Sequence, residues 1–409
     1  MINLKNNPGV KVLIAGSILQ LFLGIIYVWS VFVQPVQTTF GWTISDVKFT
    51  VNIMLCCFVL GILTAGKLQT KLKASHIVLA GGLMMAAGVF ATSLLSSAVP
   101  VWSLWITYGI VGGFGVGLAY NTIISCAQKW FPKKRGLATG ISVFTFGFSS
   151  VIFAPLAEQL IKTQTFGLIS TLQVLAVAFC VATLALFAFI KLPENTTAQP
   201  INYGLKKQYT TGQILKTPEF YLIFFSMMFL TAAFFIINPS LRLLAPMHGL
   251  DISFGVTLVM IAGLANSAGR LVVPVLGEKI GRREAVLTIL LITAIGTASL
   301  CSVEGALFIV AIAAIAFCYG GSSGIYPLIT ADYFGLKNVG ANYGAVMVGF
   351  MMSVLLFPNL IGQLNTGFDA VAADNILKFV SLAIVAAVGA GLIVLLIIKA
   401  KRGSKHADN

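Results

Sequence analysis

The chain has 409 residues, 58% hydrophobic and only 9% charged, where an ordinary soluble domain carries about a quarter charged residues. So little charge cannot cover a soluble protein of this length, which excludes a soluble enzyme and a disordered chain. The formal net charge of +14 does not indicate nucleic-acid binding either. The 26 Lys and Arg are thinly spread between long apolar runs, as in a polytopic membrane protein.

A membrane helix needs about 20 mainly apolar residues. Twelve such runs follow one another, at 10–34, 47–69, 76–97, 101–127, 136–161 and 168–191, then 218–241, 254–277, 285–302, 306–330, 341–364 and 375–399. The predicted fold is therefore an all-α membrane protein with twelve transmembrane helices. The first run starts near Val10 without a small-residue cleavage site and reads as a retained helix. Between the sixth and seventh runs lies the one long polar segment, with Pro193, Pro200, Gly204, Lys206 and Lys207. The expected domains are a six-helix bundle over 1–191, a linker over 192–217, and a second bundle with a short basic tail over 218–409.

The cations predict the orientation. With a cytoplasmic N-terminus only Lys48, Lys162, Arg242 and Lys378 face outside, and Arg270 is left within a span. All others fall on cytoplasmic segments, among them Lys5, Lys133, Lys134, Arg135, Arg282, Arg283, Lys401, Arg402 and Lys405. That bias puts both termini inside.

The two halves resemble each other. Gly66-Lys67-Leu68-Gln69-Thr70-Lys71-Leu72-Lys73 closes the second run, and Pro274-Val275-Leu276-Gly277-Glu278-Lys279-Ile280-Gly281-Arg282-Arg283 follows the eighth. Trp130-Phe131-Pro132-Lys133-Lys134-Arg135-Gly136 after the fourth is echoed by Tyr333-Phe334-Gly335-Leu336-Lys337-Asn338-Val339-Gly340 after the tenth. A same-direction duplication of six spans is what two rocking bundles with a site between them require.

Arg270 is the sharpest site signal. If the eighth run closes at Leu276, it sits about 9 Å inside the membrane, at a cost of at least roughly 2.5 kcal/mol on insertion scales. Snorkelling to the interface, or pairing with an acid on a neighbouring helix, would each account for it. Yet Asp46, Glu158, Asp332 and Asp374 all lie near span ends, and a planar guanidinium suits bidentate capture of a carboxylate. Asn266 and Pro274 lie one turn either side of Arg270. Asn266 either orients the guanidinium and meets substrate, or merely bonds a neighbouring helix. In the first run Gln20, Tyr27 and Gln34 recur every seven residues and predict a polar stripe.

Gly109, Gly112, Gly113, Gly115 and Gly117 satisfy neither phosphate-binding motif and read as a close helix–helix contact, as do Gly320, Gly321 and Gly324. The six cysteines lie in apolar stretches without ligand spacing, and His248 is alone in a loop. Neither a nucleophile–base pair nor an ATP-binding motif occurs. No catalytic residue, cofactor, metal or nucleic-acid partner is expected.

The loop strings, with Tyr27-Val28-Trp29-Ser30-x-Phe32-x-x-Pro35, Gly269-Arg270 and Asn342-Tyr343-Gly344, resemble the major facilitator superfamily, and within it the oxalate/formate antiporter family, itself related to the monocarboxylate transporters. The general loop motif is matched loosely, its usual acid being Thr70 in one copy and Glu278 in the other. The Trp-Phe-Pro-Lys-Lys-Arg-Gly string is more specific. The resemblance implies that Arg270 binds the substrate carboxylate and that Tyr27, Tyr120 and Tyr319 line its cavity. Tyr326, seven residues on, shares a face with Tyr319. Related monocarboxylate transporters carry an Asp where Asn266 stands, which removes the familiar proton-coupling group. Oxalate transporters carry a Lys where Phe350 stands. One buried cation balances one carboxylate charge, so the expected cargo is a small monocarboxylate: formate, lactate, pyruvate or similar. Protons or a counter-anion would drive it through the lipid bilayer, and the chain is expected to work as a monomer.

Overall fold

The computed structural model describes residues 8–163, 166–193, 208–251, 254–364 and 372–407. The expectations for Lys5, Lys206, Lys207, Arg242, Asp374, Lys401, Arg402 and Lys405, and for most of the linker, fall on residues or side chains outside that set.

Twelve long helices are described: α1 (Pro8–Phe40), α2 (Ile44–Leu68), α3 (Ala74–Ser93), α4 (Trp102–Trp130), α5 (Arg135–Lys162), α6 (Gly167–Phe189), α7 (Pro218–Ile237), α8 (Phe254–Ile280), α9 (Arg282–Ser299), α10 (Gly305–Phe334), α11 (Val339–Leu364) and α12 (Ala372–Ala407). Eleven are long and apolar enough to cross a membrane. The other, α9, opens on Arg282, Arg283 and Glu284, yet its 18 residues rise about 27 Å, close to the roughly 30 Å of hydrocarbon. Helices satisfy their own backbone groups, as a spanning segment must. Large apolar side chains such as Val177, Val181, Ile295 and Leu307 point outward, as lipid-facing residues do. The protein is a multi-pass membrane protein.

The chain divides into two compact units, Met1–Gln208 with Gly335–Ala345, and Tyr209–Phe334 with Val346–Asn409. In the first unit the glycine string serves close packing. A Cβ on Gly117 would collide with the Phe58 carbonyl oxygen of α2, and one on Gly115 would come 2.5 Å from the Gly81 carbonyl oxygen of α3. Asn121 of α4 donates Nδ2–H to the carbonyls of Ile62 in α2 (2.7 Å) and Gly340 in α11 (2.9 Å). Trp29 donates Nε1–H to the Val47 carbonyl (3.0 Å) and packs on Tyr108 (centroids 4.2 Å), so this motif residue fastens α1 to α2 and α4.

In the second unit α8 and α10 approach through Gly269, Gly320 and Gly324, which face the Phe317 carbonyl, the Asn266 carbonyl and the Pro274 ring. Arg282 pairs with Asp332 and donates Nη1–H to the Leu328 carbonyl (3.3 Å), tying the basic string to the end of α10. Lys399 of α12 pairs with Glu219 of α7 at 2.7 Å.

Two local expectations are corrected. The eighth helix does not close at Leu276. It continues to Ile280, because Gly277 packs against Ile325 and the turn that stops it is Gly281, at φ 99°, a left-handed conformation that glycine adopts freely. The polar stripe of the first helix is broken. Gly24–Val28 is 3-10 helix, and five residues at 3.0 per turn advance roughly 100° further than α-helix does. Gln20 is consequently buried, Tyr27 half-buried and Gln34 exposed. Lys378 is buried in α12, at 4% exposure.

Candidate functional site

Arg270 lies ten residues before the Ile280 end of α8, about 15 Å along the axis. It is 1% exposed. A helical side chain leans toward the N-terminus of its own helix. Arg270 does so here: its Nε–H donates to Asn266 Oδ1 at 3.1 Å. Asn266 is buried as well, and its backbone carbonyl abuts Gly320 of α10. The orienting reading of Asn266 thus has its hydrogen bond, and glycine at 320 lets α10 come close enough to hold that turn of α8.

Tyr319 precedes Gly320, so it stands level with Asn266. Its ring is buried and stacks on Phe234 of α7 (centroids 3.8 Å, planes 2° apart) and edge-on against Phe235 (5.5 Å, 79°). Phe350 of α11 is also buried and meets Phe235 edge-on (5.2 Å, 81°). Tyr326 is fully buried and its hydroxyl lies 2.9 Å from Ser226 Oγ of α7. The second unit therefore brings Arg270, Asn266, Tyr319 and Phe350 into one neighbourhood, while Tyr326 is occupied with Ser226.

In the first unit Tyr27 and Tyr120 come together through a residue that the sequence did not single out. Phe146 of α5 meets Tyr27 edge-on (5.6 Å, 82°) and Tyr120 at 4.8 Å. Phe58 of α2 closes the group against Tyr120 (5.1 Å) and Phe146 (6.1 Å). Gln20 donates to the Tyr120 carbonyl at 3.3 Å. Phe58, Phe146, Phe234 and Phe235 are four of 30 phenylalanines, and nothing in sequence sets them apart from lipid-facing ones. The only available signal was spacing: Ser226 and Phe234 are eight residues apart and so share a face of α7.

Among the described residues no three His, Cys, Asp or Glu converge as a metal site, and no Asp or Glu is buried. A buried guanidinium in a unit whose neighbouring helices carry buried aromatic rings can receive a small anion with an apolar end, the usual make-up of a ligand site with few polar anchors.

The sequence profile described as Major Facilitator Superfamily matches residues 14–358. The chain belongs to this superfamily. It is 28% identical over 347 residues to the uncharacterized MFS-type transporter YhjX of Escherichia coli (strain K12), covering 83% of this chain and 84% of that one. To the oxalate:formate antiporter of Oxalobacter formigenes it is 25% identical over 358 residues, 83% and 81% of the two chains. Among solved structures, the E. coli fucose:proton symporter FucP superposes with a TM-score of 0.72 at 13% identity, over 95% of this chain and 99% of that one. That last likeness shows the fold alone. The chain is a membrane transporter of this superfamily.

Proposed function

We propose that this superfamily member is a secondary active transporter of a small monocarboxylate such as formate, lactate or pyruvate, working by alternating access. It sits in a cell (inner or plasma) membrane with both termini cytoplasmic, and the halves 1–191 and 218–409, joined by 192–217, are its two six-helix bundles. The observation that carries the reading is Arg270: a guanidinium 1% exposed within the membrane-spanning helix α8 and braced by Asn266. Arginine stays protonated in proteins, so a partner of opposite charge is worth most at such a place. Likeness to an oxalate:formate antiporter supports a carboxylate cargo and also favours a second reading, exchange of a dicarboxylate. Phe350 speaks against that reading, since it leaves no cation at the place where the resemblance expects the second carboxylate to be met.

Uptake of labelled carboxylates into proteoliposomes tests both. Arg270→Gln is expected to abolish carboxylate transport while thermal unfolding in detergent stays within a few degrees of wild type. Even Arg270→Lys is expected to lose most activity, because an ammonium does not reproduce the planar fork. Wild-type transport in Arg270→Gln would overturn the assignment. Ligand binding without transport by the wild type would make the protein a carboxylate sensor.

A further inference from the structure

Helix α7 offers little by sequence to a carboxylate site, yet both α10 tyrosines lean on it. Ser226 holds the Tyr326 hydroxyl, Phe234 covers one face of Tyr319, and Phe235 touches Tyr319 and Phe350 edge-on at once. Edge-to-face contacts with centroids under about 7 Å are the favourable aromatic geometry, so Phe235 fixes where the other two rings stand. Tyr319 and Phe350 are buried, whereas Phe235 is only half-buried, which makes it the least packed ring of the three.

The height of this wall follows from α8. Gly320 packs on the Asn266 carbonyl, so the neighbouring Tyr319 lies at the Asn266 level, four residues or about 6 Å along the α8 axis from Arg270. The Arg270 side chain leans toward that level, as its bond to Asn266 shows. A carboxylate on the guanidinium would have the wall within the reach of a short carbon chain.

We infer that Phe235 is a specificity-determining residue, which limits how long the organic group of a carboxylate held at Arg270 can be. The inference rests on the carboxylate reading above and adds a residue and a size rule to it. Removing the ring opens space for added methylenes, each of which discriminates by about tenfold or more in an apolar pocket.

The experiment is competition by formate, acetate, propionate and butyrate against a labelled monocarboxylate in proteoliposomes. Wild type is expected to favour the shorter acids. In Phe235→Ala, butyrate should gain about tenfold or more relative to acetate, with Phe235→Leu in between. Phe225→Ala removes a ring on the same helix that is 40% exposed and should leave the order unchanged. Phe235→Leu, which keeps an apolar side chain at the site, carries the test if the alanine variant does not fold. An unchanged order of acids in a folded Phe235 variant, with wild-type transport intact, overturns the role of Phe235 alone. Failure of every carboxylate to compete in the wild type overturns the carboxylate reading, and the size rule with it.

Discussion

At Phe350 the charge balance of the proposed site is decided by a residue that carries none. Its ring is buried against Phe235, so a substitution there changes both volume and charge, and the two must be separated. With Arg270 as receptor, a bound monoanion leaves the site near neutral and a dianion leaves it negative in a low dielectric. Phe350→Lys reverses that balance: a dianion is matched and a monoanion leaves one charge uncompensated. Such a charge is worth at least roughly 2.5 kcal/mol at membrane depth, which corresponds to well over tenfold in relative affinity. Oxalate is therefore expected to compete far better against a labelled monocarboxylate in Phe350→Lys than in Phe350→Met, which tests loss of the ring alone. Equal competition in the two variants would place position 350 away from the carboxylate. Snorkelling or deprotonation of the new lysine works in the opposite direction, so the Met comparison is made at more than one pH.

Among the elements, α8 and α10 illustrate how far sequence reaches. The glycines at 320, 321 and 324 announced a close helix–helix contact, and Gly320 and Gly324, with Gly269 opposite, each stand where a Cβ would strike the neighbouring helix. The twelve spans were legible because lipid imposes length and polarity on every one of them. The interruptions inside helices were not. The 3-10 segment Gly24–Val28 depends on Gly24 lying against the Phe146 carbonyl, and the π-helical stretch Trp105–Gly112 accompanies Gly109 packing on Ile53. Both are settled by partners far away in sequence, which periodicity along one helix does not see. The α7 rings escaped notice for a related reason, since a phenylalanine facing lipid and one facing Tyr319 look alike in an apolar run. The α8–α10 contact also predicts a contrast between two glycines. Gly320→Val puts branched carbon onto the Asn266 carbonyl, forces the helices apart and should cost about 1–3 kcal/mol by overpacking. Because Asn266 holds Arg270, carboxylate affinity should fall as well. Gly263→Ala, on α8 with open space around its Cα, should be neutral or slightly stabilising. Thermal unfolding in detergent and carboxylate binding, measured on both variants, check the pair; equal stability of the two would show that the contact is not tight.

For the whole molecule the distribution of ionisable groups predicts how transport is driven. Among the described residues the buried charged side chains are Arg270 and Lys378, and no Asp or Glu is buried. A proton-coupled carrier needs a group that is charged on one leg of its cycle and neutral on the other, with a pKa within reach of the working pH. Arg270 cannot serve, since a guanidinium does not deprotonate, and Asn266 beside it has no proton to exchange. A carboxylate on Arg270 thus offsets positive charge at the proposed site. A charge at membrane depth costs at least roughly 2.5 kcal/mol, so reorientation of the loaded protein should be favoured over that of the empty one by up to about two powers of ten. Carboxylate entry is then expected to be strongly accelerated by a second carboxylate inside the vesicle. A pH gradient of one unit, at fixed concentration of the carboxylate anion, should have little effect. Proteoliposomes loaded with or without counter-anion, each with and without the gradient, give four rates that decide it. Acceleration by the gradient alone, with no response to the internal anion, would mean that a titratable group elsewhere in the protein carries the coupling proton. Lys378 is then the first candidate to substitute, because it is the other buried cation among the described residues.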